Sequence, residues 1–207
     1  MVTEKHVGLD TPYSIAKHGK AIAAAGKSFV IRYLSPNTHN FPNKRLTPIE
    51  VTEAATAGLW LGSVWEAMGS AAEMNAATGD AHGKAAVATA QRVKQPKGSG
   101  LYFAVDYDAP TSDHAGIAGY FTRVRPSVIP AGFLVGAYGS EDVIDMLLEL
   151  GLIHFGWKAG SSGWSGANRP TKAAIIQTSA GNNTVGGLSC DLDEIDGSLS
   201  AAGLWQP

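Results

Sequence analysis

Eight short, apolar, strand-like runs, separated in most cases by helical stretches, constrain the fold of this 207-residue chain more than any other feature. The runs are His6–Asp10, Phe29–Leu34, Trp60–Glu66, Leu101–Asp106, Phe133–Gly139, His154–Ala159, Ala173–Thr178 and Leu188–Leu192. Most are continuous apolar runs rather than alternating ones, which is typical of a parallel sheet covered on both faces. The pattern therefore predicts an α/β protein.

Helical stretches are predicted between the first six runs. They are Ser14–Gly26, Leu46–Gly58, Ser70–Lys94, Asp113–Arg125 and Glu141–Leu150. The second has a capping-box sequence, with Thr47 at the N-cap, Pro48 next and Glu50 at the third position. Pro126 is expected to stop the fourth.

The order of these elements favours an irregular (β/α)8 TIM-like barrel formed by residues 1–207 as a single domain. Such barrels typically need about 250 residues, so 207 is lean. The shortage falls in the last third, where we expect short or missing helices. The alternative is an open doubly wound sheet, which would bind its ligand at a topological switch point.

Composition excludes several classes of protein. With 16 Lys and Arg against 18 Asp and Glu, the net charge is −2, and the basic excess typical of nucleic-acid binding is missing. Cys190 is the only cysteine, which rules out an internal disulfide framework. The charged start, Met1–His6, is unlike a signal peptide, and the uncharged stretches are too broken to span a membrane. We therefore expect a protein made in the cytoplasm without a signal peptide, and no membrane insertion.

Acids and an amide follow the strand-like runs, at positions scattered over most of the chain. They are Asp10, Glu66, Asp106, Asp108, Gln177, Asp191 and Asp193. In a parallel barrel the carboxyl ends of all strands meet at one rim, so these side chains should converge. Crowded carboxylates suit either a hard-cation site or glycoside hydrolysis, in which a protonated acid and a carboxylate flank the scissile bond.

Aromatic residues near the same predicted rim favour a saccharide as the ligand. They are Tyr13, Tyr33, Trp65, Tyr107, Tyr138, Trp157 and Trp164. No cofactor is expected, because Gly98-Ser-Gly100 precedes a strand, whereas a dinucleotide-binding motif follows one. The histidines have no zinc-site spacing, and Cys190 lies in an apolar run, which is typical of a buried structural thiol.

Several segments, in order along the chain, resemble a known family. They are VGLD (Val7–Asp10), FVIRYL (Phe29–Leu34), LTPIE (Leu46–Glu50), AGLWLGSVWE (Ala57–Glu66), LYFAVDYD (Leu101–Asp108), VGAYGS (Val135–Ser140), IIQT (Ile175–Thr178) and CDLD (Cys190–Asp193). From about residue 6 to 195 the chain is similar to the bacterial and phage glycoside hydrolase-like domain. That family is distantly similar to the family 25 lysozymes, which are muramidases on an irregular barrel.

The resemblance implies roles for individual residues. Asp10 matches the acid of the first strand, and Asp106 matches the first member of an Asp-x-Glu pair. The second member is Asp108 here, a departure that shortens the side chain by one methylene. Glu66 is therefore expected to be the general acid with Asp106 as its partner, and Asp108 is the competing acid. The residues expected to bind sugar are Asp10, Tyr33, Tyr138, Trp157, Gln177, Asp191 and Asp193.

The activity implied by the resemblance is hydrolysis of peptidoglycan glycan strands by a monomeric enzyme, with a muramidase favoured over a glucosaminidase. An endolysin released through a holin, or an injected effector, would fit a chain without a signal peptide. Asp108 at the position of the expected glutamate keeps a second reading open, namely a non-catalytic saccharide-binding module. A divalent-cation site in the acidic cup is the third.

Overall fold

The computed structural model, which describes residues 4–207, is a closed barrel in which each strand is bonded to the next in chain order. The strands are β1 Lys5–Asp10, β2 Phe29–Tyr33, β3 Trp60–Trp65, β4 Gly100–Ala104, β5 Leu134–Gly139, β6 Phe155–Lys158, β7 Ile175–Val185 and β8 Leu188–Asp196. The TIM-like barrel expected from the sequence is confirmed. Residues 1–3, which belong to the charged start Met1–His6, lie outside the described residues.

The last strand departs from the expected parallel arrangement. From β1 to β7, each strand is parallel to the next one along the chain. Strand β8 is antiparallel to both of its neighbours, β7 and β1. A parallel return needs a crossover of a dozen or more residues. Only Gly186 and Gly187 separate β7 from β8, and their φ angles of 58° and 83° form a tight hairpin turn instead.

Five α-helices cover the outside of the barrel in the described part of the chain. They are α1 Gly19–Ala24, α2 Pro48–Ala57, α3 Ala76–Arg92, α4 His114–Val128 and α5 Glu141–Glu149. The capping box of α2 is formed as expected, since Thr47 and Glu50 exchange side-chain bonds with each other's backbone N–H groups. Beyond α5, the only helical element in residues 150–207 is a short 3-10 helix at Leu199–Ala202, which confirms the loss of helices in the last third.

The expected stop of α4 at Pro126 is wrong, because the helix continues through the proline to Val128. Pro126 removes one backbone donor. On the same helix Val124 and Val128 are fully buried against the barrel, and burying a valine side chain contributes about 1.5–3 kcal/mol. Packing of this face outweighs the lost hydrogen bond.

The interior of the barrel is a second apolar core, distinct from the layer between sheet and helices. Its largest members include Phe29, Ile31, Tyr102, Trp157 and Ile195. At the amino end, Leu199–Ala202 closes the barrel, and Tyr102 Oη donates to the carbonyl of Ala202 over 2.6 Å. The carboxyl end of the parallel strands is left open. Among residues 4–207, none of the helices has the length and apolar character that crossing a membrane requires.

Candidate active site

A polar depression, here called the acid cup, lies at the open end of the barrel. It is lined by Asp10, Tyr33, Val64, Glu66, Ala104, Asp106, Tyr138, Trp157, Gln177 and Asp191. Eight of these ten residues are site candidates from the sequence. The scattered strand-end residues therefore do converge at one rim.

The alternation of side chains along a strand explains why these residues reach the cup. Residues at i and i+2 point to the same face of a strand. Ile31 lies inside the barrel, so Tyr33, two residues later, also points inward and lies nearer the open end. The same relation holds for Val64 and Glu66, and for Ala104 and Asp106. Each apolar interior residue thus has a polar successor at the rim.

Lys44, which the sequence analysis did not single out, supplies a cation to the cup. Its Nζ donates to Glu66 Oε1 over 2.8 Å and to the Glu66 carbonyl over 3.0 Å. The same ammonium lies 4.6 Å from the centre of the Tyr33 ring. Lys44 is only 4% exposed, so this ion pair is largely shielded from solvent.

A fully buried ion pair holds the loop that carries Lys44. Arg32 Nε donates to Glu50 Oε1 over 2.8 Å, and both side chains are 0% exposed. The Arg32 guanidinium also donates to the carbonyls of Thr11 and Asn43. Because Asn43 is adjacent to Lys44, the position of the lysine follows from a scaffold beneath the cup. Breaking a buried pair of this kind typically costs about 3–5 kcal/mol.

Asp106 is exposed at the mouth of the cup and is held from behind by the loop after β3. Its backbone N–H donates to the Gly69 carbonyl over 2.8 Å. Glu73 Oε2 accepts from the N–H groups of Met68 and Gly69, at 2.9 Å each, and so braces this loop. Partial removal of water by the cup walls, followed by the charge of Glu66, raises the pKa of Asp106 to about 6, against an opposing effect of Lys44.

On the opposite wall, β1 and β8 bring Asp10 and Asp191 side by side as register partners. Gln177 Nε2 donates to Asp10 Oδ2 over 3.0 Å and to Asp191 Oδ2 over 3.2 Å, and Tyr33 Oη donates to Asp10 Oδ1 over 3.2 Å. Burial first, then the charge of Asp191, raises the pKa of Asp10 to about 7, although the two hydrogen bonds act against that rise.

Asp193 lies beneath the cup rather than in its lining. Its side chain is buried, and Trp157 Nε1 donates to Oδ1 over 2.9 Å, whereas Oδ2 has no hydrogen-bond partner among the described residues. Burial and then the charge of Asp10 raise the pKa of Asp193 well above its ordinary value. Since β8 is antiparallel, Asp191 and Asp193 reach the site from the middle of a strand and not from its end.

Asp108, the expected competing acid, lies outside the cup. Its side chain is exposed and accepts a hydrogen bond from the Ser165 N–H over 2.8 Å. Strand β4 ends at Ala104, so the alternation that carries Asp106 into the cup is lost before residue 108. Two of the aromatic candidates also lie elsewhere: Trp65 packs between sheet and helices, and Tyr107 donates to Asp113.

One feature of the sequence, the position of Lys44 after a predicted strand, could have indicated that this lysine lies near the site. It belongs to the connection after β2, and connections after parallel strands surround the open end of a barrel. Its identity within that loop follows no periodic pattern, which is why sequence reasoning missed it. Within residues 4–207, no three His, Cys, Asp or Glu side chains are grouped to hold a metal ion, so the geometry offers no support for the cation alternative.

A barrel whose open end gathers carboxylates with phenol and indole side chains is that of a glycoside hydrolase-like protein. The comparison with family models agrees. The chain belongs to the Rv2525c-like, glycoside hydrolase-like domain family, whose model matches residues 20–196. No curated protein matches the chain by sequence.

Solved structures share the fold at low sequence identity. The Tat-secreted protein Rv2525c of Mycobacterium tuberculosis, solved with L-tartrate, has a TM-score of 0.83 and 20% identity over 99% of this chain and 100% of its own. A bacterial lysozyme from Streptomyces coelicolor has a TM-score of 0.59 and 18% identity, over 97% of this chain and 96% of its own. The modular autolysin LytC of Streptococcus pneumoniae was solved in complex with a synthetic peptidoglycan ligand. It has a TM-score of 0.61 and 12% identity, over 92% of this chain and 46% of its own.

These comparisons correct the expected localisation. Cytoplasmic synthesis without a signal, followed by holin-type release or injection, is wrong in the light of the similarity to Rv2525c, because that protein is Tat-secreted. The charged start at Met1–His6 was read against the pattern of a general signal peptide, and residues 1–3 lie outside the described part of the chain.

Proposed function

We propose that this protein is a glycosidase that hydrolyses the glycan backbone of peptidoglycan, with the muramidase bond favoured. One observation carries the proposal: a lysine-paired Glu66 lies in the same cup as Asp106, whose pKa is raised to about 6. Neighbouring carboxylates with different environments are the arrangement that glycoside hydrolysis uses. The lysozyme and the peptidoglycan-bound autolysin of the same fold support the substrate class.

The environments of the two acids favour a reversal of the roles expected from the sequence. Glu66 is paired with the Lys44 ammonium at 2.8 Å, an arrangement that suits the carboxylate that stabilises or attacks the sugar carbon. Asp106, with its pKa raised, retains a proton over a wider pH range and suits the general acid that protonates the leaving oxygen. Asp106 is therefore the proposed proton donor, and Glu66 is the lysine-paired second acid.

The remaining cup residues suit substrate binding. Gln177 holds Asp10 and Asp191 together and accepts from Tyr138 Oη over 3.0 Å, so these four groups form one connected network. The Tyr138 and Trp157 rings meet edge to face with centroids 4.7 Å apart, which gives the network an apolar wall. Sugars offer both hydroxyl groups and apolar ring faces to such a surface.

Mass spectrometry of digested peptidoglycan tests the proposal. Purified cell wall is incubated with wild-type protein and with the Glu66→Gln, Asp106→Asn double variant, and the reducing ends released are reduced and identified. New muramic acid ends from the wild type alone are the expected result. New glucosamine ends would change the bond assignment, and equal, background release from both proteins would rule out catalysis at this cup.

One observation favours a second candidate, a saccharide-binding module without catalysis. The acid that follows Asp106 by two residues is engaged outside the cup by Ser165, so the Asp-x-Glu pair implied by the family resemblance is not assembled here. Co-sedimentation with insoluble peptidoglycan, without any release of reducing ends, would select this candidate over the hydrolase.

A further inference from the structure

The connection between β6 and β7, residues 159–174, runs past the carboxyl end of β5 to the connection after β4. Its Ser165 N–H donates to Asp108 Oδ1 over 2.8 Å, which attaches it to the connection after β4. Since β5 lies between β4 and β6 in the sheet, the segment must pass over the carboxyl end of β5 to make this bond. We refer to residues 159–174 as the strap.

The strap is fastened along its length. Lys158 Nζ donates to the Arg169 carbonyl over 3.1 Å, and the Arg169 guanidinium pairs with Asp142 and Asp145 of α5. Gly166, with φ of 76°, sits so close to α5 that an added Cβ would lie 2.7 Å from the Glu141 Cβ. The strap is therefore a fixed wall.

This wall stands beside the acid cup. The Trp164 ring on the strap lies 6.5 Å, centre to centre, from the ring of Tyr138, which lines the cup. The Gly160 N–H donates to Gln177 Oε1 over 3.0 Å, so the start of the strap is bonded to the cup itself. A shallow depression around Trp164 and Arg169 has no lining residue in common with the cup.

On the other side the cup continues into open space, here called the cleft. The cleft has a volume of about 310 Å³, and beyond the residues shared with the cup it is lined by Pro12, Tyr13, Phe41, Lys44, Ser189 and Cys190. Tyr13 is 41% exposed, and its ring meets Phe41 edge to face at 5.7 Å. These two rings offer an apolar surface next to the acids, a place where a sugar ring can stack.

From this asymmetry we infer that the site takes the end of a glycan strand: the terminal part enters the cup, and the following units lie along the cleft over Tyr13 and Phe41. The strap blocks continuation past the cup on the β5 side. Asp108 is then a specificity-determining residue, because it ties the part of the strap next to Trp164 to the connection after β4. The inference rests on the proposed function for the saccharide nature of the ligand and adds the mode in which the strand binds.

Binding of end-capped oligosaccharides tests this mode. The probes are a β-1,4-linked N-acetylglucosamine hexamer, uncapped or carrying a bulky fluorophore at either the reducing or the non-reducing end. Titration calorimetry uses the Asp106→Asn protein, so that turnover is slow during the measurement. We expect one cap to weaken binding at least ~10-fold through steric exclusion, and the other to change it less than ~3-fold.

Two variants examine the parts of the mechanism in the same background. Asp108→Ala frees the part of the strap around Ser165 from the connection after β4 and should reduce the penalty of the disfavoured cap, without weakening the uncapped hexamer. Tyr13→Ala should weaken all bound probes alike. Asp108→Asn, which can still accept from the Ser165 N–H, serves as the matched control and should retain the penalty.

The outcomes separate this inference from the proposed function. Equal binding of both capped probes overturns end recognition and leaves the glycosidase proposal standing. An unchanged penalty in Asp108→Ala overturns the role of Asp108. End-selective binding without any release of reducing ends from cell wall by the wild type supports the inference and overturns catalysis. A failure to bind any of the three probes overturns the inference, and the cell-wall assay then decides on the glycosidase independently.

Discussion

The two walls of the acid cup treat their carboxylates in opposite ways. On the β3–β4 wall, Glu66 is paired with Lys44 at 2.8 Å. On the β1–β8 wall, Asp10 and Asp191, together with Asp193 beneath them, accept only from uncharged donors within residues 4–207: a phenol, an amide, an indole and a backbone N–H. A cation stabilises the ionised form, whereas burial and like charges stabilise the protonated one. Glu66 thus has a cationic partner, whereas burial raises the pKa of Asp10 and Asp193.

The largest expected effect comes from Asp106, which lies on the β3–β4 wall with Glu66. Asp106→Asn keeps the shape of the side chain and removes the proposed proton donor, so hydrolysis should fall by about 10²–10⁴-fold, the usual contribution of general acid catalysis. Release of reducing ends from purified cell wall measures this. Asp191→Asn is the matched variant on the uncharged wall and should cost less; a greater loss for Asp191→Asn would reverse the assignment of the walls.

Removing the cation tests the charged wall directly. Activity that needs protonated Asp106 should decline as pH rises through about 6. Because Lys44 opposes the raised pKa of Asp106, Lys44→Met should raise it further and move the alkaline limb of the pH–rate profile to higher pH. The maximal rate should fall about tenfold as Glu66 loses its partner.

Lys84→Met, on the exposed face of α3, is the control for Lys44→Met and should leave the profile unchanged. A profile for Lys44→Met that coincides with the wild type would mean that Asp106 is not the titrating acid.

The uncharged wall is best tested through stability. Since folding raises the pKa of Asp193, the folded state binds this proton more tightly, and the free energy of unfolding should fall as pH rises above about 4. Asp193→Asn keeps the acceptor for Trp157 and cannot ionise, so its unfolding free energy should vary less between pH 4 and pH 8. Each pKa unit between the two states is worth about 1.4 kcal/mol.

Chemical denaturation at several pH values measures this dependence for Asp193→Asn. Asp196→Asn, at the exposed end of the same strand, is the control and should keep the wild-type slope. Parallel curves for wild type and Asp193→Asn would contradict a protonated Asp193.

The smallest expected effect concerns the support behind the charged wall. Glu73→Ala removes the acceptor for the Met68 and Gly69 N–H groups and loosens the loop that bonds Asp106. We expect kcat to fall about threefold with KM unchanged, since only the placement of the acid is affected. Glu73→Gln should restore part of the rate. A change confined to KM would place Glu73 in substrate binding instead.

Much of the fold could be predicted from the sequence because it depends on local periodicity. Continuous apolar runs such as Leu101–Ala104 form strands inside a covered sheet, and the Thr47–Glu50 capping box starts a helix wherever it occurs. Pro126 shows the limit of such signals, because buried contacts along α4 outweighed a strong local breaker. The direction of β8 could have been deduced from the short spacing after Thr178, which leaves no room for a crossover.

Some features of the site likewise follow from the sequence pattern, whereas others depend on the tertiary structure. Chain order and alternation by themselves determined that Asp10, Glu66, Asp106 and Gln177 would share one rim, because a barrel carries successive strand ends to the same place. Only the tertiary structure decided that Lys44 neutralises Glu66, that Asp108 turns outward to the strap, and that Asp193 lies beneath the cup. Those outcomes depend on loop paths and on contacts between distant residues, which no local pattern encodes.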